Sequence, residues 1–169
     1  TACDDGTVLA TQANMDKLDS RIGAFDDTVR DAIKGNTFDA TDKGFLASGK
    51  KTGNIKIGLS GECVNGWASA PTQSVVYSSC HDNYTLYDKL VSSLYPDEKD
   101  FRKRHANLVE MTKLNAATIF SAQGMTFFLA GEEFCRSKDG DENSFKSSAT
   151  LNMIDWESVN NYSDVVEYY

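Results

Sequence analysis

The sequence predicts a parallel α/β fold, and three observations carry that prediction. Two segments have strand character, residues 73–79 and residues 125–130. The stretch between them is too long for a hairpin and has helical patterning, and this strand–helix–strand order gives parallel pairing. The polar clusters sit immediately after the two strands, as Cys80-His81-Asp82-Asn83 and Gly131-Glu132-Glu133. Parallel α/β folds, the eight-fold βα barrel above all, build their sites at the C-terminal ends of strands.

Each element has its own justification. Residues 22–25 form a short strand candidate. Residues 26–34 read as a helix, with Val29 and Ile33 on one face, Asp26 at the N-cap and Gly35 where it stops. The Gly-rich, polar stretch 44–71 reads as a long excursion with one short strand or helix near 55–59. Residues 73–79 are rich in β-formers. Residues 84–94 place Leu86, Leu90, Val91 and Leu94 at amphipathic spacing. Pro96 suits a first helical turn, so a longer helix is expected over 96–122, with Phe101, Leu108, Met111 and Ile119 inward and Gly124 closing it. The unbroken apolar run 125–130 suits a strand buried on both sides. The polar tail is loop-like up to a last helix near 155–169. A whole barrel takes typically about 250 residues. At 169 residues, with two good strands and a third short one, the chain is an incomplete barrel, one domain over 1–169.

Composition narrows the function classes. There are 25 acidic and 17 basic residues, for a net charge of -8. A nucleic-acid partner would leave a basic footprint. The one basic cluster, Arg102-Lys103-Arg104-His105, is expected to be the solvated face of a helix. No apolar run reaches 18 residues, so no membrane span is expected. Cys3, Cys63, Cys80 and Cys135 lie far apart without a C-x-x-C pair, which favours free thiols. With His81 and His105 the only histidines, no metal site is expected.

The candidate chemistry is sparse. By itself the His81-Asp82 pair has two readings, an N-capping Asp ahead of the helix near Tyr84 or a functional carboxylate. The HD phosphohydrolase reading fails because no histidine precedes His81. Glu132 and Glu133 could serve glycoside hydrolysis, which runs on two carboxylates. Neighbours at a strand end point opposite ways, however, so one of them is expected to be structural. The segment GLSGECVNG lacks the ending of a phosphate loop, and no G-x-S-x-G elbow is present.

At these residues the sequence resembles a known family. Residues 71–90 (PTQSVVYSSCHDNYTLYDKL), with a Q-S-x-x-Y strand running into H-D-N and T-L-x-D-K, closely resemble the type I pullulanases of the α-amylase superfamily. Residues 123–138 (QGMTFFLAGEEFCRSK) resemble the last barrel strand of those enzymes, continued by Asn143 to Phe145 and by Asp155-Trp156. Residues 22–35 (IGAFDDTVRDAIKG) look like their sixth strand and the helix after it. Three blocks in family order are far more specific than any one alone.

The resemblance implies the C-terminal portion of a (β/α)8 barrel, about strands six to eight with their helices, from a starch-debranching glycoside hydrolase. It implies that Asp82 is the carboxylate that stabilises the transition state and that His81, with Asn83, contacts the same sugar. Arg136 and Asn143 would hold neighbouring glucose units. The implied partner is an α-glucan: pullulan, amylopectin or limit dextrin. No cofactor is implied, and a structural calcium is left open. The family's nucleophilic Asp and acid/base Glu belong to blocks upstream of Ile22 that this sequence does not contain. Glu62, in Gly61-Glu62-Cys63, mimics the "GE" of the acid/base motif but lies after the sixth-strand block. The isolated chain is therefore expected to be inactive, with an exposed apolar sheet edge where a preceding strand would pair. The rival reading is a non-catalytic carbohydrate-binding or scaffolding module. Tyr84, Tyr87 and Trp67 would be its stacking candidates, each of them favoured as packing residues.

Overall fold

The computed structural model describes residues 9–169, built around a three-stranded parallel sheet. β1 (Ala24–Phe25) pairs with β2 (Ser74–Val76), Ala24 facing Ser74, and β2 pairs with β3 (Met125–Thr126), Val75 facing Met125. The ladder runs one bond further on each side: the Asp26 N–H donates to Val75 O at 3.0 Å and the Phe127 N–H to Val76 O at 2.9 Å. Neighbouring strands that share a direction need crossovers, and helices fill both of them.

The first helix, α1 (Asp27–Lys34), follows its sequence signals. Asp26 Oδ1 accepts the Val29 N–H at 3.0 Å, and Gly35, at φ +97°, ends the helix with its N–H on Asp31 O. The chain then folds back so tightly that a Cβ on Gly44 would sit 2.2 Å from Ile33 O and 2.3 Å from Gly35 N. Both obstacles are backbone and cannot swing aside. Gly44→Ala is therefore expected to destabilise by about 2–4 kcal/mol in urea unfolding. Gly53→Ala, where a Cβ meets nothing within 4 Å, should be neutral or mildly stabilising because it improves helix propensity.

The 44–71 excursion contains two helices, α2 (Phe45–Ser48) and α3 (Thr52–Leu59). Gly58 brings α3 onto α1, its Cα facing Val29 where a Cβ would be 2.2 Å from Val29 Cγ2. α4 (Leu86–Leu94) begins at Thr85, whose Oγ1 accepts the Asp88 N–H at 3.1 Å. Asp82 therefore does not cap this helix. The core lies between the sheet and these helices: Val29, Ile33, Val76, Leu86, Leu90, Leu108 and Ile119 are all 0 or 1% exposed.

The expected helix over 96–122 is shorter, α5 (Ala106–Phe120). Ahead of it, Glu98 Oε1 accepts the N–H groups of Lys99 and Asp100, and Asp100 Oδ1 accepts that of Arg102. These local side-chain bonds hold the backbone in turns instead of helix. The basic cluster is thus not a helix face. Arg102 pairs with Asp139 at 2.7 Å, Lys103 with Glu98 at 2.8 Å and Arg104 with Asp164 at 3.0 Å, while His105 stacks on Tyr95 at 4.2 Å.

The strand expected over 125–130 is also shorter, and it is not buried on both sides. Met125 is 45% exposed, because β3 has no partner on its outer edge among the described residues. Ile22 and Phe25 are likewise exposed at the β1 edge. The tail carries α6 (Ala149–Asn152), α7 (Ser158–Asn161) and α8 (Ser163–Val166) in place of one helix over 155–169. Tyr162, at φ -127° and ψ 30°, breaks the run between α7 and α8 and buries its ring in the core. Cys63, Cys80 and Cys135 are free thiols; Cys3 lies outside the described residues. No helix among the described residues is long and apolar enough to cross a membrane.

Candidate active site

The three strands bring one aromatic ring each together at their C-terminal ends. Phe25, Tyr77 and Phe127 meet edge to face, with centroids 5.0 Å apart for Phe25–Tyr77 and 5.5 Å for Phe25–Phe127. Tyr77 is fixed in place by donating to Asp27 Oδ1 at 2.8 Å and accepting from Arg30 at 3.1 Å. Burial, reinforced by Asp27, pushes its phenol above the ordinary range.

Beyond Tyr77 the chain crosses the top of the sheet as Ser78 to Asn83. Ser78 and Ser79 are buried, and both hydroxyls donate to Glu132. The Glu132 carboxylate also accepts from Asn115 at 2.9 Å and from the Tyr169 hydroxyl at 3.2 Å. Glu132 is therefore the structural member of its pair. Burial pushes it up to about 7 against the pull of these donors. Glu133 turns back and accepts the Gly131 N–H at 2.8 Å.

Anchored in this way, the loop presents Cys80, His81, Asp82 and Asn83 to solvent-filled space. His81 Nε2 lies 3.4 Å from Asp82 Oδ1, and both side chains are largely exposed. Asn83 takes a left-handed turn at φ +61°, which asparagine tolerates better than most residues. Two clefts meet at His81-Asp82-Asn83. One, of about 310 Å³, has Lys34, Tyr77, Cys80 and Phe127 in its wall; the other, of about 460 Å³, has Phe38, Asn143 and Phe145.

A second set of buried bonds brings Asn143 here. Asp88 in α4 is fully buried and accepts from Ser137 Oγ at 2.5 Å and from the Lys138 N–H at 2.7 Å. Lys138 Nζ in turn donates to Ser144 Oγ at 2.6 Å. The structure thus gathers four of the five predicted site residues, His81, Asp82, Asn83 and Asn143, and leaves the fifth apart. Arg136 lines neither cleft; it donates to Ala130 O at 3.1 Å and to Asn152 O, tying the tail to the turn after β3. Tyr87, 1% exposed, is a core residue whose hydroxyl donates to Lys103 O, so it is no sugar platform.

Sequence reasoning missed Lys34. It is 2% exposed, lines the 310 Å³ cleft, and has no hydrogen-bond or ion-pair partner among the described residues. Burial pushes its ammonium down to about 8. Sequence reasoning also missed the contact of Glu62 with Asp26, two buried carboxyls of which neither lines either cleft. As for metals, the ligating atoms of Cys80, His81 and Asp82 lie within 4.8 Å of one another, a grouping the spacing of cysteines and histidines did not anticipate.

No protein-family model matches the sequence. Individual proteins do. A pullulanase of Bacillus subtilis is 39% identical over 94% of the chain, and the pullulanase of Paenibacillus barengoltzii superposes with a TM-score of 0.82 over 94% of it, at 39% identity. By sequence and by fold, the chain is related to the type I pullulanases. It spans 22% of the length of the Bacillus subtilis protein and 24% of the Paenibacillus chain, so it corresponds to one part of a pullulanase. The Paenibacillus structure is a complex with maltohexaose and α-cyclodextrin, and a Bacillus subtilis type I pullulanase structure (TM-score 0.81, 36% identity, covering 94% of this chain and 22% of that one) holds maltose.

Proposed function

We propose that the chain is the C-terminal portion, about strands six to eight, of the (β/α)8 barrel of a debranching enzyme that cleaves α-1,6-glucosidic bonds with retention. In this reading Asp82 is its transition-state-stabilising carboxylate. The observation that carries it is the position of Asp82: it follows the middle strand of a parallel sheet, where two clefts meet, and its carboxylate faces open space. A carboxylate so placed accepts hydrogen bonds from ring hydroxyls, and these strengthen as oxocarbenium character develops. His81 and Asn83 beside it, and Asn143 across the second cleft, supply further polar groups for an α-glucan such as pullulan, amylopectin or a limit dextrin. Arg136 acts in this reading through the tail it ties down.

The chain alone lacks the rest of the chemistry. Retention needs two carboxyl groups about 5–5.5 Å apart, one nucleophile and one acid/base. Glu62 and Glu132 are buried in other contacts, and Asp27 is bound to Tyr77 and Arg30.

The expected result with pullulan is that the isolated chain releases no maltotriose, while the protein carrying the upstream strands does. In that longer protein Asp82→Asn should lower kcat by about 10²–10³-fold, corresponding to several kcal/mol of transition-state stabilisation. Hydrolysis by the isolated chain, or full activity in Asp82→Asn, would overturn the reading. An inactive longer protein that still binds α-glucan would favour a binding module.

A further inference from the structure

Cys80 lines the 310 Å³ cleft two residues before Asp82, with its Sγ 3.9 Å from the Asp82 carbonyl oxygen. It is half-buried, unlike the exposed Cys63 and the buried Cys135. The same cleft holds Lys34, unpartnered among the described residues, 2% exposed and close enough to Cys80 for the two groups to interact electrostatically. Arg30, the other strong base in this wall, is already paired with Asp27 and Asp31. Asp31 and Glu132 act on Lys34 from nearby but bond to it in no hydrogen bond or ion pair, so its ammonium is the one in this wall open to an incoming anion among the described residues. At neutral pH most of it remains ammonium, since burial lowers it only to about 8.

We propose that Cys80 is a modification site for anionic low-molecular-mass disulfides, which Lys34 draws into the cleft, and that the resulting adduct closes the cleft to α-glucan. The last clause rests on the glucan-binding reading above. In the exchange, the Cys80 thiolate, its proton released to solvent, attacks one sulfur of R–S–S–R. A Cys80–S–S–R bond forms, the R–S–S–R bond breaks, and R–S⁻ leaves and takes up a proton from water. Cys80 is oxidised and one half of the reagent is reduced, so no other oxidant is needed. The linked group then stands beside Asp82, in the approach a sugar ring would use.

The test compares two reagents of opposite charge, glutathione disulfide and cystamine, on the full chain, with site-resolved mass spectrometry following Cys80 and Cys63. With glutathione disulfide, Lys34→Met should slow exchange at Cys80 by about threefold or more and leave Cys63 unchanged; with cystamine it should not slow Cys80. Lys34→Arg should restore the rate, which a purely structural role for the side chain would not predict. Maltohexaose binding, followed by NMR shifts, should be lost on glutathionylation and insensitive to the reagent in Cys80→Ser. The proposal is overturned if Cys80 stays unmodified while Cys63 reacts, if the charge of the reagent makes no difference, or if the adduct binds maltohexaose as the free chain does. Should the unmodified chain not bind maltohexaose, the glucan reading fails, while the exchange and its charge preference are still read directly.

Discussion

Glu62→Gln is expected to flatten the fall in stability that the chain shows between about pH 4.5 and 7.5. Asp26 and Glu62 are 0% and 2% exposed, and they touch. Burial first, and then the charge of Asp26, pushes Glu62 up to about 7 from an ordinary 4.5; burial also raises Asp26. A carboxyl that binds its proton more tightly when folded makes the folded chain richer in protons between those two values. Stability is then greatest below about 4.5, falls as pH rises through 7, and levels off above it. Glu132, also pushed up to about 7, adds to the same loss, as do the raised Asp26 and Asp88. Lys34, depressed to about 8, acts only at higher pH and in the opposite sense. A glutamine at 62 keeps the shape and can donate to Asp26 as the protonated acid does, but it has no charge to gain. Urea unfolding at about pH 5 and 7.5 measures the slope; an unchanged slope in Glu62→Gln would mean that the pair is not sharing a proton.

The elements that the sequence made legible are those whose determinants are local. Asp26 and Gly35 bound α1 by capping chemistry a few residues long, and the apolar spacing of Leu86, Leu90 and Val91 marks α4. Where the prediction failed, a competing local bond or a missing neighbour decided. Glu98 and Asp100 divert residues 96–104 into turns, although Pro96 could open a helix. The run 125–130 is apolar enough to be covered on both faces, yet β3 is an edge, and edge status is not written in a strand's own residues.

The site divides the same way. His81, Asp82, Asn83 and Asn143 were found through a resemblance spread over three blocks, and the fold brings them to one place by means that are individually silent in the sequence. Nothing in Asp88 announces that it will accept from Ser137 and Lys138 and so deliver Asn143. Lys34 sits at the end of a helix where a lysine is ordinary, and only the return of the chain past Cys80 makes it a cleft residue. Arg136 shows the converse: its position in the motif suggested a ligand, and its guanidinium is used by backbone carbonyls of residues 130 and 152.

Glu132→Ala should be the most damaging single change at the sheet ends, costing about 3–5 kcal/mol, while Glu132→Gln should cost about 1 kcal/mol. The carboxylate is the shared acceptor of four donors: Ser78, Ser79, Asn115 and Tyr169. Alanine leaves all four without an acceptor in a site closed to water, and it removes one of the acidic groups that act on the buried Lys34. Glutamine keeps one oxygen toward Asn115 and Tyr169, and the two serine hydroxyls can turn to accept from its amide. Because Ser78 and Ser79 lead directly into Cys80 to Asn83, the alanine variant should also free that loop, seen as faster amide exchange over 78–83 than over α4. Glu132→Gln should in addition remove the part of the stability loss that Glu132 itself causes as pH rises through 7, since the glutamine cannot ionise. If the alanine variant costs less than about 1 kcal/mol and leaves exchange over 78–83 unchanged, the Glu132 cluster is not what holds Asp82 at the junction of the two clefts.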